Sequence, residues 1–250
     1  MAIWQDPRST TERGAGVNAA TIGVPTVTRD AGLRSYMLSV YNYMASGVLL
    51  TGIIALLFAP YAGQVLVGQN GGLSGLGWII TLSPLAIVFA MSFGMNRMAT
   101  GTLQLLFWAF AALMGLSMST LFLAYTGVSI AQTFFATAAA YAGLSLYGYT
   151  TKRDLSGIGT FLIMGVVGLL VAMLVNLFLQ SSAMALAISA IGVLLFAGLT
   201  AYDTQRIKSL YFHVQGTEMV GKTVIMGALQ LYLDFINMFQ FLLSFMGQRR

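Results

Sequence analysis

The chain has no cysteine, one histidine and four prolines, and only 8% of its 250 residues are charged. Each shortage excludes something. Without cysteine there are no disulfides, no thiolate nucleophile and no Cys-based metal site. A lone histidine, His213, rules out a multi-histidine cluster. The scarcity of charge excludes the most. Soluble domains keep roughly a quarter of their residues charged to hold their surface in water, and twelve basic with seven acidic side chains cannot do that for a chain of this size. The glycine-rich stretch GQNGGLSGLG has no lysine and no strand before it, so it is not a phosphate loop. The formal charge of +5 is spread over short connections, which speaks for membrane topology rather than nucleic-acid binding.

Apolar residues fill the space that charge leaves, at 58% of the chain. A helix that crosses the roughly 30 Å hydrocarbon core needs about 20 mostly apolar residues. Seven windows qualify: Ser35–Ala59, Gly77–Phe93, Thr102–Ala124, Ser129–Tyr149, Ile158–Leu179, Ala183–Ala201 and Thr223–Phe245. Their continuous apolarity, without the alternation of barrel strands, makes the fold class all-α integral membrane. Pro60 is expected to close the first segment and Pro84 to allow a kink in the second. Residues 1–33 lack the apolar core of a cleaved signal and read as a flexible cytoplasmic tail, leaving 34–250 as one transmembrane domain. Placing the tail and the even-numbered connections inside puts ten of the twelve basic residues in the cytoplasm. The N-terminus is then inside and the C-terminus outside, with Arg249 and Arg250 the two exceptions. Recurrent small residues, among them Gly165, Gly168, Gly192, Gly198 and Gly227, read as close-packing positions.

Polar residues within apolar spans carry the functional signal. Gln230, Asp234 and Asn237 are spaced by four and three, which sets them on one face of the last segment. Asp203 lies at or just inside the end of the sixth, with Arg206 three residues on. An acid in mid-span ordinarily faces the bundle interior and marks a pathway or relay. Two carboxylates brought together would titrate as a unit and share a proton; deprotonated, they repel and offer oxygen ligands to a hard cation such as Ca²⁺. The plainer readings are a boundary pairing of Asp203 with Arg206 or Lys208, and a structural hydrogen bond for Asp234. Spacing does not decide whether the two acids meet. His213 reads as a surface residue, and the chain holds no HExxH and no Ser/Lys pair for intramembrane hydrolysis, so no enzymatic activity is expected.

At AYDTQRIK and LYLDFINMF the chain resembles the Bax inhibitor-1 (TMBIM) family, over essentially residues 30–247, with NRM after the second segment and KRDLSGIG before the fifth in keeping. The resemblance implies a bacterial inner-membrane member with seven helices, the last one central and the other six in two three-helix layers. It also implies a monomeric, pH-sensitive calcium leak channel without a resident cofactor, Ca²⁺ being its cargo. The pH-sensing pair would be Asp203 and Asp234, which could also hold the Ca²⁺, with Arg97 as a cation competing for Asp203. Alternatives are a proton-coupled cation exchanger and a non-conducting regulator of a membrane-bound quality-control protease.

Overall fold

The computed structural model describes residues 26–68 and 71–250. Among the described residues eight helices follow in chain order: α1 (Thr26–Leu66), α2 (Gly75–Gly94), α3 (Thr100–Met118), the single turn α4 (Leu121–Ala124), α5 (Gly127–Thr150), α6 (Ser156–Leu179), α7 (Ser182–Val214) and α8 (Met219–Met246). Seven of these are long, and six of the seven are long and apolar enough to cross a membrane.

The exception, α5, is instructive. Its buried residues are Ser129, Thr133, Thr137, Tyr141, Ser145 and Gly148, a stripe repeating every three or four positions, while Val128, Phe135 and Leu146 on its other side are exposed. This helix turns its hydroxyls inward and its hydrocarbon outward, as a lipid-facing helix with a polar packed face should.

Helix α8 is the centre of the bundle. It packs against α7, α1, α5 and α3; α2 lies mainly on α3 and α6 on α7. Tyr232 of α8 is fully buried and sits edge-on to Phe107 and Phe110 of α3. The Thr51 hydroxyl of α1 donates to Ala111 O of α3 at 2.8 Å, which leaves it to accept from the Tyr232 hydroxyl at 2.7 Å. One hydrogen-bonded knot therefore ties three helices to each other.

Several boundaries differ from those expected. Pro60 does not close the first helix: α1 runs through it for 41 residues, since a transmembrane helix can lose one N–H without breaking. At about 1.5 Å per residue it is roughly 60 Å long, about twice the hydrocarbon core. Residues 26–33 belong to α1, so the helix begins inside the expected tail, and residues 1–25 of that tail lie outside the described residues. The third segment breaks after Met118 and resumes as α4, and α7 continues well past Ala201. The connection after Pro60 is helix as far as Leu66; Ser74 N donates to Leu66 O at 2.9 Å, and Ser74 Oγ caps α2 by accepting from Gly77 N at 2.9 Å.

The two ends of the bundle differ in character. At one, Lys222 Nζ donates to Asn96 O at 3.5 Å, Lys208 Nζ to Tyr149 O at 2.6 Å, and Gln205 Nε2 to Arg153 O at 2.8 Å. These bonds gather the basic connections together. At the other, the last residues run antiparallel to the α4–α5 junction, with Thr126 N donating to Gln248 O at 3.1 Å and Arg250 N to Ala124 O at 3.0 Å.

Close approach explains most of the glycines noted in the sequence. Gly165, Gly192, Gly198 and Gly227 lie against Leu195, Phe241, Leu162 and Ile207, whereas Gly168 faces open space. The tightest contact with the α7 backbone is at Gly148 of α5, where a Cβ would lie 2.2 Å from Ala201 O. Gly148→Ala must therefore push two backbones apart, at a cost of about 1–3 kcal/mol, whereas Gly143→Ala on the same helix meets nothing within 4 Å. Thermal unfolding in detergent is expected to show a clear loss for the first and little change for the second.

Candidate functional site

The Gly148 contact draws α5 against α7 two residues before Asp203, and Gly227 lets Ile207 of α7 approach α8 one turn below. These close approaches bring three helices together around two acids. Asp203 and Asp234 are each only 4% exposed, and their side chains face one another within hydrogen-bonding reach. Two ionised carboxylates are acceptors only, so that contact becomes a bond when one of them carries a proton.

The surroundings are unequal. Asp203 has the Gln230 side chain beside it and feels the positive charge of Arg206, one turn further along α7. Asp234 has no such help: its Oδ2 has no hydrogen-bond partner. Tyr141 of α5 stands near both acids and spends its hydroxyl on Leu231 O at 3.2 Å. Beside the pair, Thr204 of α7 joins Ser145 of α5 at 3.0 Å, and Ser145 joins Tyr41 of α1 at 2.5 Å. The site is thus a pair of carboxylates walled by hydroxyls and one amide, and the nearest fixed cation acts on only one of the two.

The sequence-selected residues divide. Asp203, Asp234 and Gln230 come together. Asn237 turns instead toward a cleft between α6, α7 and α8. Arg97 is exposed on the turn between α2 and α3, and the cation acting on Asp203 is Arg206. Lys208 is engaged with the C-terminal carbonyl and ring of Tyr149, so it is not the partner of Asp203 either. His213 is exposed, with Nδ1 3.1 Å from Ser209 O, and among the described residues no three His, Asp or Glu side chains gather as a metal site. A calcium ion at the pair would meet two carboxylates and complete its shell with the Gln230 oxygen, hydroxyls or water.

Tyr141 and the hydroxyls of α5 were missed in the sequence. Serine and threonine scarcely alter the apolar character of a segment; only their repeat, Ser129, Thr133, Thr137, Tyr141 and Ser145, could have betrayed a face. Asp154 lies outside the spans, where hydrogen bonds from Ser156 hold its carboxyl below the usual range. It remains charged until well into the acid range and does not compete as a sensor near neutral pH.

A helical membrane bundle whose central helix carries a buried carboxylate facing a second one on α7 is the class that fold and site define. Residues 33–250 match the sequence profile described as inhibitor of apoptosis-promoting Bax1. The chain is 44% identical over 222 residues to the inner membrane protein YbhL of Escherichia coli, covering 88% of this chain and 94% of that one. It is 49% identical to the Rickettsia prowazekii protein RP147 over 89% of this chain and 93% of the relative. A Caulobacter vibrioides protein is 46% identical over 88% and 91%. The chain belongs to the Bax inhibitor-1 family.

The pair's geometry makes a spectroscopic prediction. Infrared difference spectra across a pH titration in lipid are expected to show the carboxyl band of one protonated acid. A proton shared between the acids requires both carboxylates, so Asp203→Asn and Asp234→Asn should each displace or abolish the band; a band unchanged in Asp203→Asn would place the proton on Asp234 alone.

Proposed function

We propose that this protein is a pH-sensitive calcium leak channel of a bacterial inner membrane, with its N-terminus and basic connections in the cytoplasm, gated by the Asp203–Asp234 pair. The reading is carried by the Asp234 carboxylate, buried in the central helix with one oxygen lacking any donor and with Asp203 opposite it. A proton between the acids fastens α7 to α8. Its loss leaves two like charges facing each other away from water, which separates the helices and frees carboxylate oxygens for a divalent cation. Calcium then moves down its own gradient, because nothing in the chain couples transport to a nucleotide.

Gln230 and Arg206 hold Asp203 in place, so Asp234 is the member that responds. A competing role for Arg97 requires a second arrangement of the bundle in which the α2–α3 turn reaches Asp203. The same pair would serve a proton-coupled cation exchanger, and the two differ in whether proton and calcium fluxes are linked. The protein acts as a monomer in this reading, and a non-conducting regulator of a membrane protease is its opposite.

The test is simultaneous Ca²⁺ and H⁺ flux in proteoliposomes over a pH series. Calcium leak is expected to rise as pH rises and the shared proton is lost. Asp234→Asn, whose amide keeps a donor at every pH, should flatten that dependence. A parental profile in both Asp203→Asn and Asp234→Asn would sink the paired switch. Calcium movement driven by an imposed pH gradient would make the protein an exchanger, and no flux from the folded protein would favour the regulator.

A further inference from the structure

Away from the pair, α6, α7 and α8 enclose a cleft of about 560 Å³. It exists because α6 leans on α7 and leaves the flank of α8 uncovered. The inner stretch of its wall is hydrocarbon, from Val166, Leu170 and Met173 of α6 and Phe196 of α7. Toward the end of the bundle it becomes amide and hydroxyl: Asn176 and Gln180 from the end of α6, Asn237, Gln240 and Ser244 from α8. A second cavity of about 450 Å³ shares Asn176, Gln180 and Ser244 with the first and carries Arg249 at its edge. The two form one channel that grades from apolar to polar to cationic, and no acid lines either part.

Two features of this channel are otherwise costly. Gln180 takes a left-handed backbone (φ 50°) that a side chain other than glycine rarely adopts, and in doing so closes α6 with its amide at the cleft. Arg249 is one of two basic residues at the end opposite the gathered basic connections, and the backbone pairing of Gln248 and Arg250 fixes its position there. These two cations lie opposite the gathered basic connections, and Arg249, at the cavity edge, calls for a partner of opposite charge.

We propose that the cleft is a binding site for one anionic phospholipid of the leaflet at this end of the bundle. Its phosphodiester meets Arg249, its glycerol esters accept hydrogen bonds from the amides of Asn176, Gln180 and Gln240, and an acyl chain lies along α6. Length decides between a lipid and a transmembrane helix of another protein. Val166 to Gln180 spans fourteen helical steps, roughly 21 Å, so the groove runs from the bundle end through about two-thirds of the ~30 Å core, whereas a spanning helix needs a groove through all of it. The site does not depend on whether ions pass the aspartate pair.

The absence of cysteine makes the test direct. A fluorophore on Met173→Cys, in nanodiscs of phosphatidylcholine with increasing brominated phosphatidylglycerol, should be quenched to a plateau at a low mole fraction. The same label on Leu174→Cys, exposed on α6 but outside the cleft, should be quenched only in proportion to the brominated lipid. Adding Arg249→Gln should require about fivefold more brominated lipid for half-quenching, the weight of one cation beside an anionic lipid, and Gln240→Leu should weaken binding without touching that charge. Proportional quenching at Met173, equal for brominated phosphatidylcholine and indifferent to both substitutions, overturns the proposal. So does a Met173 label shielded from every brominated lipid, which would mean that protein covers the cleft.

Discussion

Asp234 stands where water cannot reach it, on a helix packed by four others, with one oxygen that no donor in the structure satisfies. In a medium of low dielectric a polar group left in that state costs far more than the same group at a surface, so the bundle around it is organised by what it supplies and what it withholds. It supplies Gln230 to Asp203, the Tyr141 hydroxyl to a carbonyl one turn away, and the Ser145 and Thr204 hydroxyls to each other. It withholds a fixed donor from Asp234. The vacancy can be filled by a proton or by a cation, which are the two species that the proposed function concerns.

The remainder of the architecture follows from holding those helices at that distance. Gly148 lets α5 approach α7, and Gly227 lets α7 approach α8 closely enough for the acids to meet; α5 can present hydroxyls inward only because its outer face is hydrocarbon in hydrocarbon. The Thr51–Tyr232 knot fixes α8 from the other side. Polar contacts between membrane helices are individually modest, about 0.6 kcal/mol and reaching 1–2 kcal/mol, so their value here lies in fixing which faces meet.

Much of this was legible before any coordinates. Apolar length gave six helices long and apolar enough to cross a membrane, with α5 the exception, the charges gave two unlike ends, and a four-residue spacing gave Asp234 and Gln230 a common face. What stayed hidden has physical causes. Asp234 lies thirty-one positions after Asp203, and no pattern in one dimension reports a contact set by the packing of α7 on α8. Pro60 looked like a stop because its missing N–H costs a helix dearly in water and less in a bundle. Asn237 shares the face of Asp234 yet turns into the cleft, because one face of a long helix can meet different neighbours at different depths. Arg97 entered through likeness to relatives, and a resemblance transfers a residue's identity more safely than its momentary partner.

The strand-like pairing of residues 248–250 with the α4–α5 junction bears on motion. Helix α8 enters the bundle from a turn at Gly216, whose φ of 78° suits glycine's freedom, and leaves it into backbone hydrogen bonds at Thr126 and Ala124. One end of the central helix is moored and the other hangs from a short turn. A displacement that keeps the mooring is a tilt about that end, largest near the basic connections and smallest beside Arg249. Asp234, partway along the lever, is carried sideways past Asp203 rather than drawn away along the helix axis.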